Sequence, residues 1–286
     1  YVVDVFTAST HDYIFFFTDT GKVYRKKGYQ IPESGKTAKG TNIVNILPVE
    51  SGERIQTMIH TRELKEENVE LYLTMVTRNG TVKRLPVNTL RNIRNNGIRA
   101  LTLEEGDQLI TVRETDGTKH ILIATRDGMA VCFHESDVRP TGRGSVGVRG
   151  IRLREGDYVV GAARVTPGRT VLTITENGYG KRTPVEDYRV TSRGGLGIKN
   201  YMVTEKTGKV MGIKVVDGGE DLLLVTQSGI LIRTHVDAIR LAGRATQGVI
   251  VMRFKEEGDR VIALALAQRE EGEESSPTAE SLSEEE

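Results

Sequence analysis

Three glycines, Gly142, Gly144 and Gly147, spell G-x-G-x-x-G inside TGRGSVGVRG, residues 141 to 150. That spacing can cradle a dinucleotide pyrophosphate if a strand precedes the loop, a helix follows it and an acid stands about 20 positions on. Gly147 and Gly150 would damage a helix, and VTPGRT, near position 167, carries no acid. The context excludes a dinucleotide loop. Residues 34–37, SGKT, resemble the end of a P-loop, but Gln30 stands where its first glycine belongs. The five histidines (11, 60, 120, 134 and 235) show no ligand spacing with one another or with the lone Cys132. Cys132, between Val131 and Phe133, reads as a small buried hydrophobe. No serine, cysteine or carboxylate pair stands beside a base, so neither a catalytic residue nor a cofactor or metal is expected in this chain.

The elements around these loops repeat. TDTG (18–21), TRNG (77–80), TRDG (125–128), TENG (175–178) and TQSG (226–229) share T-x-x-G, and their glycines are spaced by 59, 48, 50 and 51 residues. A period near 50 is the mark of a repeat architecture. β-type runs flank each segment, IFFF, LYLTMV, HILIA, TVLTI and DLLLV before it and KVYRK, TVKRL, MAVCF, YGKRT and ILIRT after it. Each unit therefore opens with a hairpin whose glycine takes the positive φ of a tight turn. A second turn follows 26 to 31 residues later: SGE, EGD, EGD, TGK and EGD. About four strands per repeat and no amphipathic helix predict an all-β, propeller-like ring of four-stranded blades. The repeats span about 11–60, 70–115, 119–166, 169–216 and 220–268, and residues 1–6 read as the last strand of a partial sixth blade.

The GRGSVG loop has a counterpart in every repeat: SGKTAKG (34–40), RNNG (94–97), SRGGLG (192–197) and AGRATQG (242–248). Each combines glycine, small residues and a cation. These loops supply Lys36, Lys39, Arg94, Arg143, Arg193 and Arg244, with Arg149 and Lys199 just after them. A second group follows the hairpin glycines: Lys22, Arg25, Lys26 and Lys27; Lys83 and Arg84; Lys181 and Arg182; Arg233. The third repeat breaks that rule with Met129 to Phe133. Stacked in register, these cations predict a positive belt around the rim, the footprint of a nucleic-acid surface in which Lys, Arg and loop N–H groups meet phosphates.

The net charge of +1 over 286 residues conceals an asymmetry. Residues 269–286, REEGEESSPTAESLSEEE, hold eight Glu against one Arg; the remainder has 39 basic and 31 acidic residues, a charge of +8. The tail is expected to be disordered, and its acids could compete with a polyanion for the rim. With Tyr1 where an initiator Met would stand, the chain is expected to be a piece of something longer. No apolar run reaches the ~18 residues of a spanning helix. No membrane contact and a soluble, cytoplasmic, nucleoid-associated protein are expected.

HDYIFFFTDTGKVYRKKGYQIPE, NILPVE, ENGYGKRTPVEDY and GRATQGVIVMR resemble the C-terminal domain of the DNA gyrase A protein, part of a bacterial type II topoisomerase, over residues 1 to about 268. The resemblance implies a β-pinwheel, in which a strand from the neighbour completes each blade and duplex DNA wraps the basic outer rim. It places DNA contact on Lys26, Lys83, Lys181, Arg182, Arg193 and Arg244 among others. It also implies that the rest of the gyrase A protein and the gyrase B protein are partners in an ATP- and magnesium-dependent enzyme, while this domain alone is monomeric. The family's box of the form QRRGGKG belongs to the first blade, upstream of Tyr1, and none of the tyrosines here follows an Arg as the breakage-reunion tyrosine does. DNA cutting is thus not expected of this chain. The equivalent domain of topoisomerase IV, or a protein-interaction propeller with an incidental basic rim, are the alternatives.

Overall fold

The structure, a computed structural model, describes residues 13–27, 47–61, 70–90, 92–93 and 96–269. Every T-x-x-G segment closes a β-hairpin, and its buried threonine shows why that residue recurs. The Thr77 hydroxyl accepts the Thr81 N–H at 3.1 Å, while the Gly80 N–H returns to the Thr77 carbonyl at 3.0 Å. Thr18, Thr125, Thr175 and Thr226 accept the N–H four residues on in the same way. A buried hydroxyl is thereby satisfied by the turn it helps to form. Asp107, Asp157 and Asp259 of the second turns accept the N–H groups of Asn79, Asp127 and Ser228 at 2.9, 3.0 and 3.1 Å. Both turns of these repeats therefore sit at one end of the sheet.

Five antiparallel sheets result. The first runs β3 (Ile55–Thr61), β1 (Tyr13–Thr18), β2 (Lys22–Lys27), β6 (Ile98–Arg99), and the second β7 (Leu109–Thr115), β4 (Tyr72–Thr77), β5 (Thr81–Pro86), β10 (Val148–Arg149). The third runs β11 (Val159–Val165), β8 (His120–Thr125), β9 (Met129–His134), β14 (Ile198–Lys199). The fourth is β15 (Val210–Val216), β12 (Thr170–Thr175), β13 (Tyr179–Pro184), β18 (Val249–Ile250), and the fifth β19 (Val261–Gln268), β16 (Glu220–Thr226), β17 (Leu231–His235). Each outer strand, β6, β10, β14 or β18, belongs to the repeat after the one that built its sheet. Strands first in this order line a central channel of about 480 Å³.

Sheets covered on both faces need apolar residues at successive positions. β4, β8 and β12 are buried at every position but the first. Separate cores fill the gaps between neighbouring sheets: Phe17 and Leu73, Val76 and Phe133, Cys132 and Tyr188, Leu172 and Leu224. The apolar surroundings of Cys132 push its thiol up to about 11, which fits the expected inert hydrophobe.

The all-β propeller with exchanged strands is as expected. One detail differs. The fifth sheet has three strands among the described residues, whereas the outer strand of each of the first four comes from the following repeat. Leu231 on its open edge is 61% exposed, whereas Val82 and Ala130 in the same register are fully buried. The predicted strand 1–6, the loop 34–40 and the tail beyond Arg269 lie outside the described residues.

The donated strand has a measurable consequence. A Cβ on Gly178 (φ +84°) would lie 2.6 Å from the Met252 carbonyl, delivered there by the next repeat, while a Cβ on Gly229 (φ +91°) would meet nothing within 4 Å. Gly229→Ala is expected to cost about 1 kcal/mol from its left-handed backbone alone. Gly178→Ala should cost clearly more, read as the difference between the two denaturant midpoints.

Candidate nucleic-acid interface

The rim is assembled where the chain crosses from one sheet to the one before. After the outer hairpin strand comes a 3-10 turn, Glu135–Asp137, Val185–Asp187 or Val236–Ala238 in repeats three to five. Next the chain pairs in parallel with the preceding sheet, with bridges Arg84 to Pro140, Cys132 to Val190 and Arg182 to Leu241. The N–H groups of Thr141, Thr191 and Ala242 donate to Arg84, Cys132 and Arg182 carbonyls at 3.0, 2.8 and 2.9 Å. The glycine loop follows, and then the donated outer strand, antiparallel to the start of that same edge. Each loop therefore arches over a short unpaired stretch of an edge strand. GRGSVG is one of these arches, followed by β10 rather than a helix.

The arches are stitched together. Thr102, Arg152 and Met202 donate backbone N–H bonds to Ser145, Gly195 and Thr246 carbonyls at 3.2, 2.8 and 3.1 Å, linking each loop to the segment after the previous outer strand. Arg193 donates Nε to the Asp137 carbonyl and Nη1 to the Arg149 carbonyl, both at 3.0 Å. Arg244 repeats the second bond one blade on, to the Lys199 carbonyl at 2.8 Å. Carbonyl bonds leave the guanidinium charge unneutralised, so these arginines brace the rim and still present charge.

The predicted cations divide by exposure. Arg143, Arg149 and Lys199 are exposed on the arches and outer strands. Arg182 is half-buried, with Nε on the Ile239 carbonyl at 2.7 Å. In the first blade Lys22 pairs with Glu50 at 2.7 Å, Arg25 and Lys27 lie over the Tyr13 ring, and Lys26 is half-buried on the same strand. Arg233 on the fifth is paired with Asp221 at 2.7 Å. Lys36, Lys39 and Arg94 fall outside the described residues.

Three expected contacts are corrected by burial. Lys83, Arg84 and Lys181 are 1, 4 and 0% exposed, because the arch donated by the next repeat closes over them. Lys83 Nζ donates to the carbonyls of Ala100, Arg143 and Ser145 at 3.0, 3.0 and 2.9 Å. Lys181 Nζ donates to Gly243, Arg244 and Thr246 carbonyls at 2.8, 2.6 and 3.0 Å, above the Tyr201 ring. Arg84 turns inward to Glu135, a 3.2 Å ion pair between the second and third blades.

One row of cations was missed in the sequence. Arg139, Arg189 and Arg240 are exposed, and each stands eleven residues after its hairpin glycine, Gly128, Gly178 or Gly229. They lie just before the parallel crossing, so successive blades present them at equivalent places. The signal is a fixed offset of eleven residues, in the turn between the strand after the glycine and the glycine loop.

Burial pushes the Lys83 ammonium down to about 8 and Lys181 down to about 7, with Arg143 and Arg244 respectively adding to the shift. Three carbonyls match the three N–H donors of the protonated form, which opposes the shift that burial causes. Both folded values lie below the ordinary lysine range near 10.4, so between them and that value the unfolded chain binds more protons. Stability should therefore rise with pH from about 7 toward 10. Denaturant unfolding at pH values of about 7.5 and about 9.5 should show that rise in the native chain and a flatter response in the Lys83→Met/Lys181→Met double variant.

The T-x-x-G hairpins recur five times, and a family model follows the same recurrence. DNA gyrase C-terminal domain, beta-propeller, matches residues 12–62, 71–116, 119–166, 169–217 and 220–268. The chain belongs to the DNA gyrase C-terminal domain family. The DNA gyrase A protein of Halalkalibacterium halodurans is 54% identical over 96% of this chain and 32% of its own length. That of Streptococcus pyogenes serotype M1 is 55% identical over 95% of the chain and 32% of the relative. The chain thus spans about a third of the curated relatives it matches. Among solved structures, a DNA topoisomerase IV C-terminal domain aligns with TM-score 0.80 at 26% identity, covering 91% of this chain and 80% of the other. A DNA gyrase A C-terminal domain aligns with TM-score 0.77 at 26% identity, covering 91% and 83%. Among the described residues no helix is long and apolar enough to cross a membrane.

Proposed function

We propose that the rim binds, bends and wraps duplex DNA with little sequence preference. One observation carries this reading: exposed cations recur at fixed places on successive blades, Arg139, Arg189 and Arg240 before the crossing and Arg99, Arg149 and Lys199 on the donated strands. Such a row meets a phosphate backbone without reading bases. Bending 20–30 bp by 40–90° costs on the order of 1–6 kcal/mol, so a longer wrap needs contacts spread over several blades. The gyrase A relatives support placing this chain in a gyrase, where a wrap of fixed hand would feed ATP-driven negative supercoiling by the rest of the gyrase A protein and the gyrase B protein. In that setting the chain works in the cytoplasm on the chromosome, without a cleavage tyrosine or cofactor of its own. The topoisomerase IV likeness supports a second placement with the same rim chemistry, and identity of 54 to 55% with the gyrase A relatives favours the first.

Fluorescence anisotropy with two duplexes of unrelated sequence tests the reading. Both should bind alike, with log K falling by about 0.9 per contacted phosphate for each tenfold rise in salt. A flat salt response, or no binding at about 50 mM salt, contradicts it.

A further inference from the structure

A surface that met phosphates through charge alone would have no use for exposed aliphatic side chains, yet the rim carries them. Seven large hydrophobic residues are exposed among the described residues, and four of them, Val148, Val190, Leu196 and Leu241, lie along the outer edges of the second to fourth sheets. Val148 pairs with Val82, while Val190 and Leu241 stand at the parallel bridges to Cys132 and Arg182. Leu196 belongs to the arch between Val190 and the donated strand Ile198–Lys199. The other three are scattered: Leu231 is on the open edge of the fifth sheet, Ile262 lines the channel and Met202 follows β14.

The rim aliphatics keep company with the cations. Val148 precedes Arg149, Val190 follows Arg189 and Leu241 follows Arg240. Val190 and Leu241 also share one place in the repeat, twelve residues after Gly178 and Gly229, and the exposed Pro140 takes it after Gly128. The second repeat has Asn92 there. Single hydrophobes scattered over a surface need no explanation, but three in one register on successive blades do. Val190 and Leu241 are 52 and 53% exposed on backbone that is already fixed. The N–H groups that follow them, of Thr191 and Ala242, donate to the Cys132 and Arg182 carbonyls at 2.8 and 2.9 Å. Covering these side chains therefore removes apolar surface from water at little further cost in backbone order.

Duplex DNA offers an aliphatic group two partners. Deoxyribose rings flank every phosphate alike, whereas the thymine methyl lies in the major groove at A·T pairs only. Neighbouring residues of a chain are about 3.8 Å apart, so a residue beside a phosphate-contacting arginine falls within reach of the sugars on either side of that phosphate. Sugar contact carries no base information, in keeping with the weak sequence preference of the rim. We propose that the strip formed by Pro140, Val148, Val190, Leu196 and Leu241 packs against deoxyribose and supplies a salt-independent share of DNA binding beside the arginines. The proposal rests on the rim being the DNA surface. It divides the rim into two kinds of contact, charges that hold phosphates and aliphatic groups that hold the sugars between them.

The test uses the whole chain with 13C-labelled methyl groups and a duplex of about 30 bp. The methyl groups of Val190 and Leu241 should show nuclear Overhauser contacts to deoxyribose protons, and those of Ile262 in the channel should show none. The Val190→Ser/Leu241→Ser double variant should bind the duplex about ten-fold more weakly at about 0.15 M salt, with the salt slope unchanged because no phosphate contact is removed. The same loss should persist on a duplex with deoxyuridine in place of thymidine, which has no base methyl. Unchanged affinity, a slope that falls with the affinity, or a loss that vanishes on the deoxyuridine duplex would each overturn the sugar contact and leave the rim reading standing. So would a bound duplex whose sugars do not touch the Val190 and Leu241 methyl groups. Failure of the native chain to bind the duplex at about 50 mM salt would instead remove the rim reading and the sugar contact with it. The methyl contacts are read on the unaltered chain, so they decide even if the double variant misfolds.

Discussion

Replacing Glu135 with alanine is expected to destabilise the propeller by about 3–5 kcal/mol, the cost of leaving a buried charge without its partner. The Glu135 carboxylate is fully buried, 3.2 Å from Arg84 Nε in a contact that is an ion pair rather than an aligned hydrogen bond. Its other oxygen accepts the Lys119 N–H at 2.7 Å, so the truncation also orphans a backbone donor. Arg84 would keep the Val138 carbonyl at 2.8 Å and the Tyr72 ring at 4.1 Å, but neither neutralises it. Since a domain's whole stability is only about 5–15 kcal/mol, this one change should bring the second and third blades close to unfolding at ordinary temperature. The Arg84→Met/Glu135→Leu double variant should recover most of the loss, because apolar replacements of similar volume need no desolvated charge. Guanidinium unfolding of the three proteins, with hydrogen exchange to locate the opening, checks both expectations. A Glu135→Ala protein as stable as the native chain would show that the pair does not lock the blades.

Removing the outer arginine row should affect binding as strongly as that pair affects stability. With Arg139, Arg189 and Arg240 all changed to Gln, three phosphate contacts are lost, and the salt slope should fall by about 2.7. At about 0.15 M salt that corresponds to a loss of about 10² in affinity. The three side chains are exposed and none contributes to a core, so melting should hardly change. The same three changes made at Arg154, Arg169 and Arg260, cations outside this row, should lower affinity less. Equal losses from both triples would mean that net charge, rather than the row, governs binding.

The parts of this architecture that were legible in sequence are those whose chemistry is local. T-x-x-G could be read because one threonine hydroxyl and one glycine φ build the turn from within four residues. The EGD turns were legible for the same reason. Strand exchange was not readable from periodicity, since Val148–Arg149 is two residues long and its partner, Thr81 with Val82, lies in another repeat. Only the family likeness implied it.

The same exchange explains the errors at the interface. Lys83 and Lys181 follow hairpin glycines as exposed cations might, and nothing nearby in sequence buries them. An arch 60 to 65 residues later does. Arg84 is hidden by a glutamate that belongs to the next blade. By contrast, Arg139, Arg189 and Arg240 were legible as a fixed offset and needed only a comparison of the repeats column by column. A repeat therefore reveals where a side chain recurs before it reveals which neighbour covers it.

Linking number reads most directly whether DNA wraps the rim. Nicked circular DNA should be closed by ligase in the presence of increasing amounts of the chain, stripped of protein and resolved by topoisomer. A wrapping rim predicts a shift of one sign that grows with bound protein and is strongly reduced by the Arg139/Arg189/Arg240→Gln triple. Retardation of the circle with no change in linking number would show binding without a wrap, and would contradict the proposed function.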